Sequence, residues 1–367
     1  MYTFLLDPRF DGGSPRSGSA RGSGEGMYPV TGGAVDARDA RMVVEWITGR
    51  HESFRQAVFC APDAPTAPAA AALGRDDVLF VPADARVDTV AHVVRYSGAF
   101  DDVGDTLHVA GYTVELQHYA AAAYVELIGP TAVRFLDADG WGAFLDDAEL
   151  ARDTGVFTAP LIDGRLRLAD AAVLDAPFAE AAPVSLHVHG DGSATAGAQG
   201  GAVGPVGTAL TTPVPRWTAI AGITLPERVA ADLAARPWLG RYRYAAEVVA
   251  ALGLEPGAGS IDGFGWSVLD TAGMTQPHPD DPFLVTTPAG LLLVDVRTRR
   301  RQRVPAATAT VVAAVQTSPD AARAAERVAH ELGVSAAAAL RLCAEATDLL
   351  GVRTGVPVPG AVVGGGA

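Results

Sequence analysis

His187-Val-His189-Gly-Asp191 is the run whose residue types and spacing could hold a metal ion. On an extended strand, side chains two apart share a face, so His187 and His189 would present their imidazoles together and Asp191 would add a carboxylate. The run echoes part of the HxHxDH pattern of metallo-hydrolases, with Gly192 where the last histidine would stand. Gly190-Asp-Gly192 is also good hairpin-turn chemistry. The turn reading is favoured, and no metal, cofactor or catalytic residue is expected. An enzyme with a metal or hydrolytic site around His187, His189 and Asp191 is the alternative.

Other chemistry is thinner. The glycines of 197–207 and 257–259 lack the G-x-G-x-x-G spacing of a dinucleotide loop. Cys60 and Cys343 stand far apart, and neither belongs to a CxxC pair, so they offer no disulfide framework or zinc knuckle. Cys343 is expected in the core. The acidic pairs, Asp101-Asp102 among them, read as solvated loop or cap residues. All 28 basic side chains are arginine. Without lysine there is no standard P-loop, pyridoxal Schiff base or protein-kinase site.

The elements that must carry these residues follow from pattern. A helix is predicted through Met42, Val43, Trp46 and Ile47, capped by Asp36 or Asp39 and ended by Gly49. Strands are predicted at 55–60, 77–81, 166–168 and 184–189, and a short helix at 89–95. Residues 106–116 and 124–136 read as two hairpins. Trp141, Phe144, Leu145 and Ala148 have helical spacing. Residues 190–207 read as a loop. A capping box at Thr224-Leu-Pro-Glu227 opens a helix toward Ala235, and another helix spans 242–252.

The C-terminal segment is the most informative. Phe283–Thr287, Leu291–Val296 and the basic run Arg299–Val304 read as three strands. Three alanine-rich helices follow, with Ser318 capping the second and Ser335 the third. Hairpin plus three helices makes a winged helix, and the fold class is α+β: a mixed α/β N-terminal region, then this domain. The third helix offers one face of Ala339, Leu342, Cys343, Ala346, Leu349 and Leu350. Its flanking stripe is Ala336, Leu340, Ala344 and Thr347.

Charge bears on partners. The net charge is −14 over 367 residues. The stretch Asp281–Arg353 holds nine arginines against seven acids, a net of +2, which leaves −16 elsewhere. Such a balance disfavours nucleic acid and anionic membranes. No apolar run is long enough to span a bilayer, and the N-terminus lacks a signal peptide's order, so a cytoplasmic protein is expected.

Three readings of the basic strand stay open. A DNA-binding regulator would need base-reading side chains early in its third helix, where Ala336-Ala-Ala-Ala-Leu340 stands. A peptide could instead add to the strand and lay apolar side chains on the third helix, with the arginines favouring acidic sequence. This reading is favoured. Alternatively, the strand is an edge protected by charge.

Asp281-Pro-Phe-Leu-Val-Thr-Thr-Pro-Ala-Gly-Leu-Leu-Leu-Val-Asp-Val-Arg297, followed by three helices, resembles the PqqD-like precursor-recognition domains of ribosomally made peptide natural products. Val44-Glu-Trp-Ile-Thr-Gly-Arg50, Ile128-Gly-Pro-Thr-Ala-Val-Arg134 and the long region ahead of such a domain make the chain similar to the actinobacterial recognition proteins of daptide biosynthesis. The resemblance implies a non-catalytic protein that binds a precursor's leader peptide as an added strand. Carried over by position, the groove would be Arg299, Arg301, Arg303, Val304, Leu340, Arg341, Ala344 and Thr347. The implied partners are tailoring enzymes: an oxidative decarboxylase or dehydrogenase, an aminotransferase and a methyltransferase. The expected organisation is a Gly/Ser-rich tract at 1–35, an α+β docking region at 36–276, the recognition domain at 277–353 and a flexible tail at 354–367.

Overall fold

The structure, a computed structural model, describes residues 34–198, 200–223, 226–254, 258–270 and 275–357. The expected N-terminal tract lies almost wholly outside them. Helices and strands are both abundant, and the chain divides into two compact units between Gly253 and Leu254.

The first unit opens with α1 (Ala34–Thr48), ended by Gly49 in the left-handed region. Then come β1 (Ala57–Cys60), α2 (Thr66–Ala72), β2 (Val78–Pro82), β3 (His92–Gly98), β4 (Thr106–Val109), β5 (Tyr112–His118) and β6 (Thr131–Arg134). After α3 (Ala138–Thr154) and α4 (Ala159–Ile162) follow β7 (Leu166–Leu168), β8 (Glu180–Ala181), β9 (Ser185–Val188), β10 (Ser193–Ala196) and β11 (Ala202–Pro205). The unit closes with α5 (Val206–Ala209), β12 (Val214–Pro215), α6 (Pro226–Ala235) and α7 (Leu239–Leu252).

Ten of these strands form one sheet, in the order β11-β10-β9-β1-β2-β3-β4-β5-β6-β7. β9, β1, β2 and β3 run parallel, and two antiparallel steps through β4 return β5, β6 and β7 to that direction. Their carboxyl ends therefore share one rim. In open sheets of this kind, that rim is where ligands bind.

The pleat sends alternate residues to opposite faces. Ala57, Phe59, Val78, Phe80, Val94, Tyr96, Leu107, Val114 and Ala132 share one core with Met42, Val43, Trp46 and Ile47 of α1. Val58, Cys60, Leu79, Val81, Leu186 and Val188 face the other way, toward α2 and α5. Trp46, Phe59 and Tyr96 stack in series at 4.5 and 4.6 Å. A second aromatic group joins Tyr119, Phe135, Trp141, Phe144 and Tyr242.

Several expectations are corrected. Residues 92–98 are a strand, not a helix: Val93 and Val94 pair with Leu79 and Phe80 in parallel register, and a seat beside β2 outweighs weak local helix propensity. Residues 124–136 supply one strand, β6, rather than a hairpin, because its neighbours β5 and β7 are both parallel to it. The segment 190–207 is not loop throughout; it contains β10 and β11. The capping residues Thr224 and Leu225 lie outside the described residues, although α6 follows them.

The second unit carries β13 (Ser260–Asp262), β14 (Gly265–Trp266), β15 (Thr275–Gln276), β16 (Phe283–Thr287), β17 (Gly290–Asp295) and β18 (Arg300–Arg303). Then come α8 (Ala306–Gln316), α9 (Ala321–Leu332), α10 (Ala336–Leu350) and β19 (Val356–Pro357). The five-stranded sheet order is β14-β13-β16-β17-β18. β13 and β14 therefore belong with the C-terminal hairpin, and the boundary falls before 277. The expected tail is also partly structured: β19 pairs with β15.

Leu284, Leu293 and Val304 pack with the buried faces of the three helices. The linker ahead of β16 is pinned by the buried Asp281 carboxylate, which accepts hydrogen bonds from Arg353 Nε at 2.6 Å and Arg353 N at 3.2 Å. Asp320, not Ser318, caps α9, accepting from Arg323 N at 2.8 Å. Ser318 is buried and receives Arg327 instead. Ser335 caps α10 as expected, but Leu349 is 53% exposed rather than part of the inner face.

Candidate functional site

Two places bring candidate residues together, one in each unit. The first is the rim at the carboxyl ends of the parallel strands. His187 pairs in register with Phe59 on β1 and Thr195 on β10. It therefore points to the α1 side of the sheet, where its ring meets Phe59 edge-on at 5.2 Å. His189, two residues on, shares that face, and the two imidazoles stack at 4.6 Å. Gly190–Gly192 is the turn from β9 to β10, so the hairpin and the paired histidines coexist. That turn lies close to the loop after β1: a Cβ on Gly190 would fall 2.4 Å from Asp63 Oδ2.

The carboxylate that joins the histidines is Asp101, not Asp191. Asp101 follows β3, and its Oδ1 lies 3.5 Å from His187 Nε2. One ligand atom from each of Asp101, His187 and His189 falls within 4.8 Å of the others. Asp191 turns instead to its own hairpin, accepting from Ser193 N at 2.9 Å and Ser193 Oγ at 2.6 Å. Asp101 was invisible in the sequence because its place beside the histidines depends on the β9-β1-β2-β3 strand order. Its only local signal is its position just after a strand on the binding rim.

The rim is electrostatically unusual. His187 is wholly buried, and neither ring nitrogen makes a well-formed hydrogen bond, although the Ala198 backbone lies near enough to favour the protonated ring slightly. Burial first, then the nearby His189 and Arg134, pushes its pKa down to about 3, so it is neutral at physiological pH. Burial raises the Asp101 carboxyl, against the pull of Arg134. Arg134, at the end of β6, donates to the carbonyls of Phe100 at 3.1 Å and Asp101 at 3.4 Å, holding the loop after β3. Asp105 steadies the same loop by accepting from Asp101 N and Asp102 N. Asp170, beyond β7, is fully buried and pushed up to about 8, although it accepts from Ala198 N. His189 is oriented by Thr195 Oγ1 at 3.3 Å. Cys60 is no nucleophile: it faces away from His187, and burial pushes its thiol up to about 12.

The second place is the end of the C-terminal sheet. Among the described residues β18 is the last strand in the order, pairing with β17. Arg300, Arg301 and Arg303 are exposed along it. Arg299 is not in the strand; it sits in the preceding turn with φ 56°, a left-handed conformation that costs about 1 kcal/mol for a side-chain-bearing residue. Asp295 Oδ1 organises that turn, accepting from Arg297 N and Thr298 N.

Register divides the expected groove. Arg301 and Arg303 lie opposite Val294 and Leu292, while Gln302 lies opposite Leu293. Leu293 belongs to the face packed on the helices, so Arg301 and Arg303 project to the other face. Val304 is corrected to core: it is 8% exposed, packed with the helices, and its N–H donates to Leu291 O at 3.1 Å. On α10, Leu340, Arg341, Ala344 and Thr347 are all exposed, and Leu340 keeps 49% of its surface in solvent. The arginines of β18 suit acidic side chains, and the exposed strip of α10 suits apolar ones; each is separately open to a partner.

No protein-family model, curated protein or solved structure matches the chain.

Proposed function

We propose that this chain is a non-catalytic recognition protein of ribosomally made peptide natural products, of the daptide type, that captures a precursor's leader peptide. The C-terminal unit acts as a winged helix of the PqqD-like kind, and β18 accepts the leader as a further strand. One observation carries this reading: among the described residues β18 ends its sheet while presenting exposed arginines beside β17. Main-chain pairing would supply affinity, and Arg301 and Arg303 would select acidic side chains. The exposed strip of Leu340, Ala344 and Thr347 supports an apolar contribution from α10. The first unit docks the decarboxylating, transaminating or methylating enzyme, and tethering raises the local substrate concentration there. The setting is cytoplasmic, without nucleic acid or membrane. Among the described residues, no helix is long and apolar enough to cross a bilayer.

The test is fluorescence anisotropy of labelled leader peptides from short reading frames beside this gene, with the intact chain and an Arg301→Glu/Arg303→Glu variant. Binding by the parent that the folded variant loses is the expected result. Failure of every such peptide to bind folded protein would reject the reading. Tight, steeply salt-dependent binding to operator DNA would replace it with a regulator.

A further inference from the structure

We propose that Asp101, His187 and His189 bind one divalent transition-metal ion, with zinc the cation best suited to two imidazoles and a carboxylate. The site would be separate from the peptide-binding edge and independent of that function.

Geometry is the first support. At zinc–nitrogen distances of about 2.0 Å, the ligand atoms of a tetrahedral site stand roughly 3.3 Å apart. Asp101 Oδ1 and His187 Nε2 are already 3.5 Å apart. The three ligand atoms span no more than 4.8 Å, so closing the set needs only small side-chain rotations.

His187 supplies the second, independent support. Its ring is wholly buried and neither nitrogen has a well-formed hydrogen bond, the Ala198 backbone serving only weakly, so a buried imidazole lone pair is left poorly satisfied. A cation on Nε2 would satisfy one of those nitrogens. The Trp46, Phe59 and Tyr96 stack keeps water from its far side. His189 Nε2 is held by Thr195 Oγ1 at 3.3 Å, which orients the ring.

The surroundings can carry the added charge. Arg134 is the nearby cation, and Asp101, Asp102, Asp105 and Asp170 act against it. Three protein ligands leave a fourth position, and Asp101 and His189 are the members open to solvent, so that position faces the rim. A small anion or water-sized ligand is the class that would fill it.

The experiment is cobalt(II) titration of the intact, chelator-stripped chain, followed by zinc competition. Cobalt in such a site absorbs in the visible. The expected result is one equivalent per chain, displaced by zinc. Asp101→Asn and His189→Gln should each weaken uptake at least about tenfold, whereas Asp191→Asn should not change it. Zinc should raise the thermal midpoint of the parent and leave the two ligand variants unmoved. His187 is a core residue, so the test does not depend on replacing it; circular dichroism establishes that the other variants are folded. No stoichiometric uptake by the folded parent would overturn the proposal. So would uptake that survives both ligand variants, or uptake lost on Asp191→Asn.

Discussion

Asp170 and His187 pull the stability of the first unit in opposite directions as pH changes. Asp170 titrates near 8 in the fold against 3.8 in a free chain, so its contribution is full below about 3.8 and is lost as pH rises toward 8. His187 titrates near 3 against 6.5, so its contribution is full above 6.5 and is lost as pH falls toward 3. Asp170→Asn keeps an acceptor for Ala198 N but cannot ionise. Thermal melts at pH about 5 and about 9 should therefore show the variant gaining on the parent at the alkaline end. An equal offset at both pH values would show that Asp170 is ionised throughout. Phe59→Ala should cost about 3–5 kcal/mol in urea unfolding, because Phe59 stacks between Trp46 and Tyr96 and backs His187. Both cysteines are buried, and neither should react with iodoacetamide until the chain unfolds; rapid labelling of the native protein, read by mass spectrometry, would contradict the packing.

Elements differ in how far their limits follow from local residues. Gly49, Gly333 and Gly351 end α1, α9 and α10 where expected, because a left-handed residue after the last turn satisfies the final carbonyls. α9 starts two residues later than its sequence suggests, since Ser318 and Asp320 are both good caps and only burial distinguishes them. Asp320→Ala should cost about 1 kcal/mol by urea unfolding. Arg353→Met should cost about 2 kcal/mol by urea unfolding, because it removes the charged Nε bond to the buried Asp281 carboxylate while the backbone N–H bond stays. β3 is not legible locally because Thr89–Arg95 has no strong preference of its own, and pairing with β2 decides it. Short strands such as β10 and β11 were missed because glycine and alanine carry little β signal and are recruited by neighbours.

At the scale of the whole chain, the unit boundary at Leu254 has a direct consequence. A fragment of 254–357 keeps β13, which covers the edge of β16, and β15, which pairs with β19. A fragment of 277–357 lacks both and should unfold at clearly lower urea; equal midpoints would put the boundary back at 277. The sequence alone determined the hairpin, the basic third strand, the three helices and the shared face of His187 and His189. All of these depend on contacts a few residues apart and on fixed helical and strand periods. Only the tertiary structure decided that Asp101 joins the histidines, that Asp191 does not, and that Val304 lies in the core opposite Arg301 and Arg303. Those facts depend on strand order and register, which are set by which apolar faces the whole chain manages to bury together.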